Sequence, residues 1–278
     1  MDVAPRAPGG GPTPSQVGPS RRSTLRAVAV PTEHGGWGLT AEPAVLGLLV
    51  EPSLAGLCIA AAAFVAFVAR TPLKVLLVDR ARHRHSDRHA VARRVLAIEA
   101  LVLAGLAAGA LASADGPFLW PLLVAAPLVV VELWFDMRSR SRRLVPELAG
   151  SVGIASVVAM IVLAGDGPVR LAVALWLVLA GRAVTSLPHV RAQVARIHGR
   201  PVGSTPMVLG DLGAVALVVV AELVDPAVVG GAIAVVVLVV VQRVLARGEV
   251  PPAKVLGLRQ MAMGVAVVLA SVAGVHLA

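Results

Sequence analysis

The sequence predicts an all-α, polytopic transmembrane bundle of about nine helices, with the N-terminus in the cytoplasm and the C-terminus outside. Three observations carry this expectation. The chain of 278 residues is 57% apolar, above the roughly 45–50% of a soluble domain. Its apolar residues fall in long runs of Val, Leu, Ile and Ala without period-two alternation, which fits spanning helices and not barrel strands of about 10 residues. Every basic residue except Arg170 lies in the N-terminal region or at alternate junctions between those runs. Lys and Arg resist translocation, so these junctions share the cytoplasmic side.

Residues 1–30 are rich in Pro, Gly and Ser. Too few large apolar side chains are present to offset the entropy of folding, so a disordered cytoplasmic tail is expected. Residues 31–278 form the transmembrane domain. The expected helices cover 35–51, 53–71, 93–113, 117–135, 147–165, 168–188, 205–224, 226–246 and 258–277. The first is short and is interrupted by Glu42-Pro43, so spanning and re-entry both remain open for it. The connections at Glu51-Pro52, Asp115-Gly116-Pro117, Asp166-Gly167-Pro168 and Asp225-Pro226 are tight and acidic. Pro near a helix start fits antiparallel hairpins there. Trp37, Trp120 and Trp134 fall near expected helix ends, where indoles anchor at headgroup level. Cys58 is the single cysteine and excludes an internal disulfide.

The formal charge of +9 does not point to nucleic acid. No soluble domain or binding motif accompanies it, and contact of basic loops with an anionic inner leaflet accounts for the clustering. The expected location is the inner (plasma) membrane, and the expected partner is the lipid bilayer.

Candidate chemistry lies in five places. Glu33 and His34 precede a Gly-Gly pair, and Glu42 follows inside the first helix. A His beside a carboxylate can serve as acid or base, and an intramembrane carboxyl marks a site or needs a partner. Arg70 and Lys74 are spaced i, i+4 ahead of Asp79, able to grip an anion or to lie on the leaflet. His83, His85, Asp87 and His89 match no closed zinc pattern and stand among arginines. Glu132 and Asp136 are one turn apart, with Glu147 beyond an Arg-rich loop. They suit a magnesium–phosphate contact or salt bridges with those arginines. Arg182, Ser186, His189 and Arg191 surround Pro188, where the sixth helix is expected to break. Asp211 is placed to pair with Arg182 or His189. Lys254 reads as surface, and Glu99 stands alone in the third helix.

These segments resemble the YwiC-like family of bacterial membrane proteins. The resemblance rests on EHGGWG at 33–38, TPLKVLLVDR at 71–80, the stretch 136–150, PHVRAQ at 188–193 and PAKVLG at 252–257. It implies a multi-pass membrane protein and carries over no catalytic residue. A looser architectural similarity to UbiA-type prenyltransferases implies nine helices, cytoplasmic loops after helices two and six, and magnesium as cofactor. Those enzymes hold magnesium diphosphate through two Asp-rich motifs. Here the loop after helix two has Asp79 and Asp87 among arginines, and the loop after helix six has no acid.

The combined expectation is a cytoplasm-facing polar cavity lined by Glu33, His34, Glu42, Lys74, Asp79, Asp136, Arg182, His189 and Arg191. Its excess of cations suits an anionic or amphipathic small molecule. A lipid-modifying enzyme, a small-anion transporter and an assembly protein all remain compatible with this pattern.

Overall fold

The structure, a computed structural model, describes residues 34–81, 87–138 and 143–278. The N-terminal tail with Glu33, the His83 and His85 tract, and Arg140 and Arg142 lie outside these residues, as do the side chains of His34 and Asp87. The described residues form nine α-helices and no strand: α1 (His34–Val50), α2 (Leu54–Ala81), α3 (Asp87–Ser113), α4 (Trp120–Met137), α5 (Leu144–Ala164), α6 (Val169–Ile197), α7 (Thr205–Val224), α8 (Val229–Leu245) and α9 (Ala253–Leu277). One 3-10 turn, Pro226–Val228, leads into α8. Eight of the helices are long and apolar enough to cross a membrane. The other is α1, whose 17 residues reach about 25 Å. It is one continuous helix that pairs antiparallel with α2, since Trp37 stacks near Phe64 and Phe67. No re-entrant reversal occurs within it.

Successive helices alternate in direction, so the arginine-bearing junctions α2–α3, α4–α5, α6–α7 and α8–α9 collect at one end. The acidic turns collect at the other. These turns are closed by local chemistry. Asp166 adopts a left-handed φ of 64°, and the following Gly167 N–H donates to Val162 O at 2.9 Å. That bond ends α5 by satisfying one of its last carbonyls. Asp225 Oδ1 accepts from Ala227 N at 3.1 Å and opens the 3-10 turn.

Helix α5 and helix α6 occupy the centre, each 72% buried over its apolar window, whereas α3 is only 6% buried and faces outward. In water such an outward face would be prohibitive; against lipid tails it is the expected solvent contact. The core is built from small and branched side chains, including Leu46, Val158, Ile161, Leu175, Val178 and Val235.

Four helix limits differ from the sequence expectation by more than one turn. Helix α2 runs through Pro72 to Ala81, and α6 runs through Pro188 to Ile197. Helices α3 and α9 begin at Asp87 and Ala253, about one and a half turns earlier than hydropathy suggests. Hydropathy marks the lipid-facing length, but a helix continues beyond it wherever its polar face finds partners. Pro188 does not break α6 because its cost is absorbed locally. The missing N–H frees Val184 O, and α7 approaches there through Gly210, where an added Cβ would come within 2.7 Å of that oxygen. Close packing against a neighbouring helix is how membrane helices tolerate internal proline.

Candidate functional site

Helix α6 carries a polar stripe on one face. Arg182, Thr185, Ser186, His189 and Gln193 are all buried, and their spacing keeps them in line over three turns. Outward placement in lipid would leave every one of these groups unsatisfied, so the stripe turns inward towards α1, α7, α8 and α9.

The deeper part of the stripe is an ion pair. Arg182 Nη2 lies 2.8 Å from Glu42 Oε1 of α1, with both side chains under a tenth exposed. The same nitrogen donates to Gln260 O of α9 at 3.0 Å. Arg182 sits about 20 Å along α6 from Val169, near mid-membrane depth. The pair fits only because α9 carries Gly264 there; a Cβ would lie 2.0 Å from Glu42 Oε1. Arg182 Nε is buried without a hydrogen-bond partner.

Two turns further along α6, a second centre surrounds Asp211 of α7. Thr185 Oγ1 donates to Asp211 Oδ1 at 2.6 Å, His189 Nε2 stands 3.3 Å from the same oxygen, and Arg243 of α8 pairs with Asp211 Oδ2. Gln242 Nε2 donates to Ser186 Oγ at 3.0 Å. The His189 contact lacks hydrogen-bond geometry, so Nε2 is buried against Asp211 without a hydrogen bond.

A small cleft opens beside this centre between α6, α8 and α9. His189, Gln193, Gln242, Arg259 and Gln260 give it a polar floor and rim, and Leu245, Pro251, Leu256 and Met263 give it apolar walls. Gln260 Oε1 is also buried without a partner. Gln260 therefore touches both centres, through its carbonyl to Arg182 and through its side chain to the cleft.

Elsewhere at the arginine-rich end, Arg70 bridges Glu132 at 2.7 Å and Asp136 at 3.0 Å, while Lys74 Nζ reaches Asp136 Oδ1 at 3.2 Å. This ties α2 to α4. The acids of α4 thus take their cations from α2; loop residue Arg138 lies 4.1 Å over the Trp134 ring instead. Buried Asp79 receives Arg88 Nη2 at 2.9 Å across the α2–α3 junction. Arg191 binds Glu147 Oε2 at 2.8 Å and ties α6 to α5.

The sequence-predicted residues are thus distributed over separate groups. Glu42 meets Arg182, Lys74 meets Asp136, His189 meets Asp211, Asp79 meets Arg88, and Arg191 meets Glu147. Among the described residues no three His, Cys, Asp or Glu side chains gather as a metal-binding group. Gln193, Gln242 and Gln260 line the cleft and Thr185 belongs to the Asp211 centre, but none of them was singled out by sequence reasoning. The available signal was a glutamine inside an apolar run, as in VVVQRVL around Gln242, because an amide in a spanning helix needs a partner.

The family model for YwiC-like proteins matches residues 30–162. No curated protein matches the chain, and no solved structure does. The matched part holds α1 to α4 and most of α5, with Glu42, the Arg70–Asp136 group and Asp79. The α6 stripe and the cleft lie beyond it.

Proposed function

We propose that this chain, YwiC-like over its first five helices, is an inner-membrane protein that binds an anionic amphipathic molecule in the α6/α8/α9 cleft, with its arginine-rich end in the cytoplasm. The observation that carries this reading is a pair of buried atoms without a hydrogen bond on residues lining the cleft: Gln260 Oε1, and His189 Nε2, which has only the 3.3 Å approach to Asp211. A buried polar atom without a partner costs about 1–3 kcal/mol. Two on residues that line one cleft, with Arg259 beside them, are groups that a polar headgroup there would engage. Leu245, Leu256 and Met263 line the cleft's apolar side, and because it encloses only about 30 Å³ the apolar chain would lie outside it along the lipid-facing helices.

The probe for this reading is N-lauroyltaurate, whose sulfonate keeps its charge across the working pH range, titrated against the protein in phosphatidylcholine nanodiscs. Arg259→Gln is expected to weaken binding about tenfold, equivalent to about 1.4 kcal/mol, while dodecyl maltoside binding stays unchanged. Equal binding of the anionic probe by both chains would refute the site. The orientation has its own readout. A reporter fused after Ala278 is expected to register the outer compartment, and one inserted between Arg200 and Ser204 the cytoplasm, as the distribution of Lys and Arg requires. The reverse pattern would overturn the orientation.

A further inference from the structure

We infer that the Glu42–Arg182 pair is the inner compartment of the same cleft, and that the ligand's anionic group displaces Glu42 from Arg182 as Glu42 takes up one proton. This rests on the ligand-binding reading above. It gives the membrane-centre ion pair a role beyond holding helices together, and it couples anion binding to proton uptake.

Arg182 is 5% exposed, and a guanidinium offers five N–H groups in a fixed fork. One nitrogen, Nη2, serves both Glu42 and Gln260 O, while Nε is buried without a partner. The free donor is one residue layer from the cleft, because Gln260 contributes its carbonyl to Arg182 and its side chain to the cleft wall. Met263, one turn along α9, also lines that wall. Its unbranched side chain changes shape readily and makes a compliant boundary between cleft and pair. Arg182 Nε, His189 Nε2 and Gln260 Oε1 are each buried without a hydrogen bond.

An incoming sulfonate or phosphate with several acceptor oxygens can occupy Arg182 through two N–H groups at once. Glu42 would then have to give up its only cation among the described residues. Four helices pack against α1, and their charged groups are accounted for. Helix α6 offers Arg182 to Glu42; its Arg191 is held by Glu147, its His189 stands against Asp211, its Arg196 donates to Ala246 O, and its Arg170 lies in the first turn at the opposite end. On α2, Arg70 and Lys74 are held by Glu132 and Asp136, and Asp79 by Arg88, with Arg80 at the arginine-rich end. Helix α5 carries Glu147 alone. Helix α9 carries Lys254 and Arg259 near one end and His276, which meets Leu49 O, at the other. Facing Glu42, α9 presents Gly264. A carboxylate deprived of its counter-ion at this depth is neutralised by a proton instead of remaining charged. The balance is simple. One anionic group enters, one proton from solution joins the Glu42 carboxylate, and no covalent bond of the ligand changes.

The test measures proton uptake on binding. Calorimetry of N-lauroyltaurate with the nanodisc-embedded chain, in buffers of different ionisation enthalpy, gives the number of protons taken up per probe bound. The wild-type chain should take up about one, and its affinity should rise about tenfold per unit fall in pH where uptake is complete. Glu42→Gln keeps the shape of the side chain without its charge. It should bind the probe more tightly than wild type near neutral pH, with no proton uptake and a flat pH profile. Binding by the wild type without uptake, or the same uptake in Glu42→Gln, overturns the coupling and leaves the cleft reading intact. Absence of probe binding in both chains at every pH overturns both. If Glu42→Gln fails to fold, Gly264→Ala provides the second variant. Its Cβ crowds Glu42 off Arg182, so uptake should fall while the carboxylate itself is retained, and unchanged uptake would count against the inference.

Discussion

Arg182→Ala is expected to lose about 3–5 kcal/mol of stability, the range for removing one partner of a buried pair. The variant leaves Glu42, a side chain only 9% exposed, without the cation 2.8 Å away. It also leaves Gln260 O without its donor and opens a gap at the contact of α1, α6 and α9. The readout is the unfolding midpoint of the purified chain in mild detergent. The double variant Glu42→Leu/Arg182→Leu separates charge from packing. It removes both ions together and fills the space with apolar groups, which in buried pairs is often neutral or stabilising. A double variant within about 1–2 kcal/mol of wild type, beside a severely weakened single variant, would show that the pair contributes little net stability. Retention of such a pair then requires a reason other than folding, which is the role in ligand binding assigned to it above. A harmless Arg182→Ala, or a double variant as damaged as the single, would sink this account.

The membrane-spanning plan was legible because it follows from quantities written residue by residue. The length of each apolar run must match the bilayer, and the placement of arginines fixes which junctions share an end. Helix α7 is found at the limits expected from its apolar run, Thr205 to Val224. The ends of α2 and α6 were not legible, because they depend on partners supplied by other helices. Arg191 keeps the last turns of α6 attached by reaching Glu147 on α5, and no local pattern records that contact. The same distinction holds for the site. Glu42 and Arg182 stood out as ionisable groups in apolar surroundings, but that they face each other depends on α1, α6 and α9 meeting at Gly264. Asp211 was expected against Arg182 or His189, and its distance to His189 is 3.3 Å. Thr185 carried no such signal, and only the tertiary arrangement brings Thr185 to Asp211 and Gln242 to Ser186.

Gly230→Leu tests the other support of the cleft, the packing of α8 on α9. A Cβ at Gly230 would lie 2.3 Å from Ala270 O, a backbone atom that cannot turn aside as a side chain can. The neighbouring contacts are equally tight: a Cβ at Gly274 would stand 3.0 Å from Gly230 N, and one at Gly231 would stand 2.3 Å from Ser271 Oγ. Lipid tails are as apolar as the helix faces they would replace, so burial alone gives these helices little reason to associate. Close backbone approach through small residues is what holds them. Leucine at Gly230 must therefore separate α8 from α9, with an expected loss of about 3 kcal/mol, the upper end of overpacking costs. Gly105→Leu is the matched control. Gly105 lies on outward-facing α3 with nothing within 4 Å of an added Cβ, and leucine there should be neutral or gain up to about 1 kcal/mol of helix propensity. The effect should also reach the binding readout. Gln242 stands on α8 and Gln260 on α9, on opposite sides of the cleft, so a wedge at Gly230 should splay these walls and weaken N-lauroyltaurate binding from the far end of the hairpin. Wild-type stability and affinity in Gly230→Leu would mean that α8 and α9 are not packed through these glycines, and the cleft geometry built on that packing would fall with it.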